Sequence, residues 1–140
     1  MRDLSEIELP TLSDGRLVVR PYRPDDAPAN VALCDDPTIA RWETLPSPYA
    51  PADAEAWLGD ARRTGVASGG VRLLLGWCFD ELGLGRLQMR ADARSEASRR
   101  TIEHCGFKYE GLLKSYAVVN GVRTDDDVYS LLPDDPRPGM

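Results

Sequence analysis

Just past the middle of the chain, apolar residues recur with the period of an α-helix. They occupy positions i, i+3, i+4, i+7, i+8 and i+11 of one stretch, namely Val71, Leu74, Leu75, Cys78, Phe79 and Leu82. This stripe predicts an amphipathic helix with one buried face. After Gly83 and Gly85, apolar residues alternate with polar ones from Leu87 to Ala91, as they do in a strand with one buried face. A helix followed by a strand favours a mixed α/β fold.

Two helices and a strand are predicted before this stretch. Leu17–Arg20 is a short β-branched run that predicts a strand, and the proline and aspartates after it predict the start of a helix over Ala27–Leu33. Ala52–Leu58 is rich in alanine and predicts a second helix. The proline-rich segment Pro37–Pro51 between the two helices predicts a loop.

A helix and a hairpin are predicted after the central strand. Ala97–Cys105 has a helical pattern, and Gly106 stands where a left-handed C-cap residue is needed. Phe107 then begins a strand. Asn120–Gly121, between apolar residues, predicts a tight turn that leads into a last strand at Asp127–Leu132.

Size and charge limit the function. The chain has 140 residues, which predicts a single domain over residues 1–132, and the three prolines of residues 133–140 predict a disordered tail. The formal net charge is −6, from 17 basic and 23 acidic residues. An acidic balance opposes binding to nucleic acid or to an anionic membrane, so a nucleic-acid-binding module is disfavoured.

Cysteine usage and hydropathy suggest the compartment. Cys34, Cys78 and Cys105 are odd in number and have no C-x-x-C spacing, as expected of free thiols in a reducing compartment. No run approaches the roughly 18 apolar residues of a membrane span, and the N-terminus lacks the apolar core of a signal peptide. We therefore expect a cytoplasmic protein without a membrane partner.

A glycine-containing segment precedes the predicted central helix. Small residues there let the backbone approach a phosphate, while arginines and the helix N-terminus supply positive charge. The residues concerned are Arg62, Arg63, Thr64, Gly65, Val66, Ala67 and Ser68. Taken alone, the segment fits a plain linker better than a phosphate-binding loop, because a glycine-rich turn before a helix is common.

The order of this segment, the helix after it, Asp92–Ser98 and Cys105–Gly111 resembles the Gcn5-related N-acetyltransferases (GNAT), in particular the RimJ/RimL branch. The resemblance implies a shortened acyl-CoA N-acyltransferase fold, α/β with a mixed sheet. It also implies acetyl-CoA as cosubstrate, with Arg62–Ser68 gripping its pyrophosphate.

The same resemblance implies roles for two serines in Asp92–Ser98. Ser95 takes the place of a family asparagine that binds an amide of the pantetheine arm, and a hydroxyl can still make such a bond. Ser98 matches the family serine proposed to protonate the leaving CoA thiolate. Judged without that context, the two residues are also typical of a helix N-cap and first turn.

The acceptor side of the reaction is implied less fully. Relatives place a glutamate, the proposed base, where this chain has Ala117. The neighbouring Tyr116 is therefore a candidate for proton relay or substrate orientation. A tyrosine on a half-buried strand also suits packing alone. Glu110 and Asp125 match family positions and are candidates for substrate binding. Tyr129 also matches. His104 has no cluster of ligand residues at metal-binding spacing, which predicts no metal.

The resemblance also implies a gap in the sheet. Family members place three strands between their second helix and the pyrophosphate loop, but this chain has only Ala61–Gly70 between Asp60 and Val71. An alternative alignment makes Ala54–Asp60 the last of those strands and loses the helix instead. Either way two to three central strands are missing, and an open sheet edge would need cover, for example from a second copy of the chain.

Two functional hypotheses follow. The first is an N-acetyltransferase that transfers acetyl from acetyl-CoA to a primary amine, on a protein N-terminus or a small molecule, by direct attack. The second is a non-catalytic, truncated relative that binds CoA weakly or acts as a dimeric interaction module.

Overall fold

The computed structural model describes Glu8 and residues 10–41, 50–53 and 68–137. The chain divides into two compact units. The first unit consists of residues 1–21, 66–113 and 126–140, and the second of residues 22–65 and 114–125. The single domain expected from the length therefore stays a prediction, and each unit is described by itself.

In the first unit, a pair of very short strands lies near the N-terminus. Strand β1 (Leu12–Ser13) pairs antiparallel with β2 (Val18–Val19). Asp14 shapes the turn between them, because its carboxylate accepts hydrogen bonds from the Arg16 and Leu17 amides at 2.9 and 2.7 Å. These bonds lower the pKa of Asp14. The strand predicted at Leu17–Arg20 is confirmed in its two central residues, whereas β1 was not predicted.

The predicted amphipathic helix of the first unit is confirmed, with two differences. An α-helix that we call α3 spans Ser68–Gly76 and continues as a π-helix over Trp77–Glu81. The π turn closes through a bond from Leu82 N to Trp77 O at 3.0 Å. The prediction that the loop extends through Ser68 and that the helix begins near Val71 is wrong, because Ser68 is already helical.

The helix predicted after the central strand is also confirmed. Helix α4 spans Glu96–His104, and Gly106 follows with a φ of +94°, the left-handed conformation predicted for the C-cap. The next residue, Phe107, is buried and leads into the next strand. Cys105, at the C-cap of α4, is also buried.

Among the described residues, three strands form the main sheet, in the order β3–β5–β4. Strand β3 spans Leu87–Asp92, β4 spans Lys108–Val119 and β5 spans Val122–Leu131. Strands β3 and β5 are antiparallel, with a register that runs from Leu87 opposite Leu131 to Asp92 opposite Asp126. Strand β5 begins five residues before the predicted start at Asp127, because the turn at Asn120 passes directly into it.

The turn between β4 and β5 confirms the predicted hairpin. Asn120 and Gly121 have φ angles of 51° and 78°. Two successive left-handed residues form a type I′ turn, whose twist matches that of the strands it joins.

The core of the first unit is formed by side chains from α3, its π-helical continuation, β3, α4 and β5. Its buried apolar residues are Val71, Leu75, Phe79, Ala91, Ile102, Cys105, Phe107, Tyr129 and Leu131. After β5, Arg137 lies over the ring of Phe79 with 4.8 Å from its guanidinium carbon to the ring centroid. In the part of the chain that the structure describes, no helix is long and apolar enough to cross a membrane.

In the second unit, a 3-10 turn at Pro24–Asp26 leads into helix α1 (Ala27–Cys34), which confirms the predicted helix. A short helix, α2 (Pro37–Ala40), follows where a loop was predicted. It is capped by Asp36, whose carboxylate accepts from the Thr38 amide at 2.7 Å. Residues 51–53 are helical. The rest of the predicted helix Ala52–Leu58 and the region of the missing strands fall in residues 54–67, outside the described residues.

Candidate functional site

A tight turn connects the end of β3 to the start of α4. The Asp92 carboxylate accepts three hydrogen bonds from Arg94, one from its amide at 2.9 Å and two from its guanidinium at 2.9 and 2.7 Å. These bonds lower the pKa of Asp92. The Ser95 amide donates to Asp92 O at 2.8 Å. The chain therefore reverses within a few residues and places Ser95 at the N-cap of α4.

Two predicted site residues meet at this helix start. The Ser95 hydroxyl is hydrogen-bonded to the Ser98 hydroxyl at 2.9 Å, and it makes no side-chain capping bond to the helix. Ser95 is buried, with 7% of its surface exposed, and Ser98 is exposed. We call Ser95 and Ser98 the serine pair; it lies at the end of the helix that favours negative charge.

Next to the serine pair in sequence, Arg99 belongs to a partly buried polar network that sequence reasoning missed. Arg99 Nε is 2.8 Å from Asp127 Oδ2 and 3.3 Å from the hydroxyl of Tyr129. That hydroxyl donates to Glu103 Oε1 at 3.3 Å. Asp127 is 4% exposed and Tyr129 is fully buried, and burial raises the pKa of Tyr129. Asp127 is therefore buried although it lies in an acidic run, Asp125–Asp127.

Glu110, a predicted substrate residue, has strong partners within the first unit. Arg86 donates to its two oxygens at 2.8 and 2.6 Å, and the Ser130 hydroxyl donates to Oε1 at 2.6 Å. The Arg86 and Ser130 bonds lower the pKa of Glu110 to about 2. The carboxylate is thus charged at neutral pH and already paired with a cation.

Asp125, Ser115 and Tyr116 lie in the second unit. Ser115 has a φ of 53°, which is unusual for a residue with a side chain. Asp125 Oδ1 accepts from the Ser115 amide at 2.7 Å, and Arg123 donates to Ser115 O at 2.8 Å, so both stabilise this conformation. Tyr116 follows, 53% exposed, and Ala117 comes next on β4.

The structure thus brings together one pair of the predicted site residues, Ser95 and Ser98. Glu110 and Asp125 each bind neighbours within their own unit, so their predicted substrate roles stay predictions. The predicted pyrophosphate residues Arg62–Ala67 lie outside the described residues, and α3 begins immediately after them at Ser68.

Metal ligands and reactive thiols are sparse at this site. Over the residues with described positions, no group of three or more His, Cys, Asp or Glu side chains could hold a metal ion. Burial raises the pKa of both Cys78 and Cys105, which disfavours the thiolate.

Solved structures define the class of fold. The chain is similar to the ribosomal-protein-S5-alanine acetyltransferase from Vibrio fischeri, with a TM-score of 0.70 and 19% identity, over 91% of this chain and 99% of that one. It is also similar to the microcin C7 self-immunity acetyltransferase MccE in complex with acetyl-CoA and AMP, with a TM-score of 0.72 and 14% identity, over 82% of this chain and 91% of that one. The fold is that of the acyl-CoA N-acyltransferases, as predicted.

Sequence comparison gives the family. Residues 16–63 and 57–108 match the family described as acetyltransferase (GNAT) domain. The chain belongs to this family. It is 36% identical over 72 residues to the "Probable N-acetyltransferase YjcK" of Bacillus subtilis (strain 168), over 51% of this chain and 40% of that protein. The matched part spans about two fifths of the length of the curated relatives.

Proposed function

We propose that this chain is an acetyl-CoA-dependent N-acetyltransferase domain that acetylates a primary amine, on either a protein N-terminus or a small molecule, in the cytoplasm. Membership of the GNAT family supports acetyl transfer. The serine pair is the observation that carries the proposal, since its two hydroxyls lie 2.9 Å apart at the start of α4, one buried and one exposed.

Acetyl-CoA supplies a thioester whose carbonyl carbon a neutral amine can attack directly, so that a C–N bond forms and the C–S bond breaks. Ser98 gives its hydroxyl proton to the departing sulfur, and the proton lost by the amine nitrogen restores that hydroxyl through water. The positive end of α4 favours the negative charge that develops beside Ser98. The proton balance thus closes without a covalent enzyme intermediate.

Two segments hold the cosubstrate in this proposal. Arg62–Ala67 bind the pyrophosphate with their amides and guanidinium groups, just ahead of α3. Ser68 is the first residue of α3, so its amide lies at the helix N-terminus, which favours an anion. Ser95 binds an amide of the pantetheine arm. Its hydroxyl fits that role because a hydroxyl oxygen has two lone pairs and can accept a bond from an amide N–H while it is also bonded to Ser98.

On the acceptor side, Tyr116 orients the amine or relays its proton, supported by its exposed position on β4. Glu110 and Asp125 attract the ammonium form of the acceptor. Glu110 is charged at neutral pH, but its pairing with Arg86 weakens that attraction. No glutamate base stands at Ala117, so in this proposal water removes the amine proton.

The alternative is a non-catalytic relative that binds CoA weakly or pairs through its open sheet edge with a second copy of the chain. Ala117 favours it, because relatives place the proposed base at that position. The two proposals differ in one measurable respect, turnover.

Calorimetry with acetyl-CoA, followed by release of free CoA thiol against a panel of N-terminal peptides and small amines, separates them. Micromolar binding with amine-dependent thiol release supports the enzyme. Binding without release, at every amine and pH tested, supports the non-catalytic relative. Absence of binding at millimolar acetyl-CoA overturns both cofactor-binding proposals.

A further inference from the structure

Arg99 contacts the backbone on both sides of the turn that carries Ser95. Its amide donates to Ser95 O at 3.1 Å, and its side-chain Nη1 donates to Ala93 O at 3.4 Å. Arg99 is also the residue directly after Ser98. The bond from the Arg99 amide is the first i→i−4 bond of α4, whereas the bond to Ala93 O is specific to the Arg99 side chain.

The guanidinium of Arg99 is itself anchored to β5. Its Nε donates a hydrogen bond to the Tyr129 hydroxyl at 3.3 Å and forms an ion pair with Asp127 Oδ2 at 2.8 Å. Asp127 lies opposite Ala91 in the register of β3 and β5, one residue before the turn begins at Asp92. The anchor and the turn are thus adjacent in the sheet.

Stability alone does not account for this ion pair. Asp127 is buried in the middle of a strand. The free energy of removing its carboxylate from water offsets most of the favourable energy of the ion pair, and a well-packed apolar pair is commonly as stable. An apolar pair makes no directional contacts. The planar Arg99 guanidinium, by contrast, pairs with Asp127 and donates hydrogen bonds to the Tyr129 hydroxyl and to Ala93 O.

We propose that Arg99 and Asp127 are positioning residues that fix the Asp92–Ser95 turn against β5 and thereby set where the serine pair lies. Neither residue needs to touch the cosubstrate. The consequence for acetyl-CoA rests on the proposed function, whereas the consequence for the order of the turn does not.

The test replaces the pair rather than one partner, since Arg99→Met alone would leave the Asp127 carboxylate buried without its cation. The double variant Arg99→Met/Asp127→Leu keeps the site filled and removes the directed bonds. Arg99→Lys keeps the charge but replaces the planar fork. Arg100→Met is the matched control, because Arg100 lies on the same helix and forms an ion pair with the exposed Glu96.

Two readouts are measured on the full chain. Amide hydrogen exchange of residues 94–99 should accelerate at least about tenfold in the double variant, with an unchanged urea midpoint. The Kd of acetyl-CoA should rise by roughly tenfold to a hundredfold, because small displacements of positioned groups have effects of that size. Arg99→Lys should fall between wild type and the double variant, and Arg100→Met should match wild type.

Unchanged exchange and an unchanged Kd in the double variant would overturn the positioning role while leaving the proposed function intact. If the wild-type chain binds no acetyl-CoA, the proposed function fails instead, and the exchange of residues 94–99 alone decides whether Arg99 and Asp127 order the turn.

Discussion

At the residue scale, the serine pair divides into a buried and an exposed hydroxyl. Ser98 is exposed, so Ser98→Ala should change the free energy of unfolding by less than about 0.5 kcal/mol. If Ser98 protonates the leaving sulfur, kcat should fall by about 10²-fold with the Kd of acetyl-CoA unchanged. Thiol-release kinetics and calorimetry measure the two quantities.

Ser98→Thr is the control for this substitution, because it retains the hydroxyl and should keep most of the activity. Equal kcat values for Ser98→Ala and wild type would show that another group, or water, protonates the sulfur.

Glu110 carries a second prediction at this scale. Its pKa is lowered from 4.5 to about 2 by the bonds from Arg86 and Ser130. A carboxylate with a depressed pKa in the folded state stabilises that state above its unfolded pKa, and this contribution is lost as the pH falls toward the folded value. The stability difference between wild type and Glu110→Gln should therefore be constant above about pH 5 and shrink between pH 4.5 and about 2.

Urea unfolding at a series of pH values checks this dependence. The effect should be small and sensitive to salt, because both side chains are more than a third exposed. In an Arg86→Met background the Glu110→Gln difference should vary much less with pH. If the stability difference between wild type and Glu110→Gln did not vary with pH, the ion pair with Arg86 would not stabilise the charged form of Glu110.

Individual contacts differed in how far the sequence predicts them. Ser95 and Ser98 are three residues apart on a helix start, so helical geometry alone brings them together. Arg99 lies on α4 and Tyr129 on β5, 30 residues apart, so only the tertiary fold brings them into contact. The burial of Asp127 could not be predicted for the same reason, since the run around it is acidic and nothing local indicates burial.

At the scale of elements, the β4–β5 turn depends on the backbone conformation of its glycine. Gly121 has a φ of +78°, and a Cβ added there would meet no atom within 4 Å. Gly121→Ala should therefore destabilise the fold by about 1–2 kcal/mol through backbone conformation alone. Urea unfolding measures the change.

Gly85→Ala is the matched control for that substitution. A Cβ at Gly85 also meets nothing within 4 Å, and its φ lies outside the left-handed range. It should be neutral or slightly stabilising. Equal effects at the two glycines would mean that the turn does not require its left-handed backbone.

The sequence predicted the elements that local patterns specify and missed features that depend on contacts elsewhere in the chain. The stripe from Val71 to Leu82 is long enough to define a helix, but an i+4 repeat does not reveal that Trp77–Glu81 widens into a π turn. Strand β1 has two residues and depends on its pairing with β2, so it is too short to show the alternation of apolar and polar residues that predicts a strand. The Asn-Gly turn, by contrast, is specified locally.

For the whole molecule, the order of the glycine-containing segment, the central helix, Asp92–Ser98 and Cys105–Gly111 was sufficient to predict the fold class and the family. The acceptor was not predictable, because Tyr116, Glu110 and Asp125 were assigned by family position rather than by a shared local pattern. The shortening of the sheet falls in residues 54–67, so it stays a prediction from length.

The described core belongs to the first unit, and it is small. Nine buried apolar residues form it, so the loss of one large side chain should remove a substantial part of the 5–15 kcal/mol that a domain typically has. Leu75 is 2% exposed on α3, and Leu75→Ala should lower the free energy of unfolding by about 2–5 kcal/mol. Leu33→Ala makes the same chemical change on α1, where Leu33 is 55% exposed, and should cost less than about 1 kcal/mol. Urea unfolding of both variants tests this difference, and similar losses would show that the stability of the chain does not reside mainly in this core.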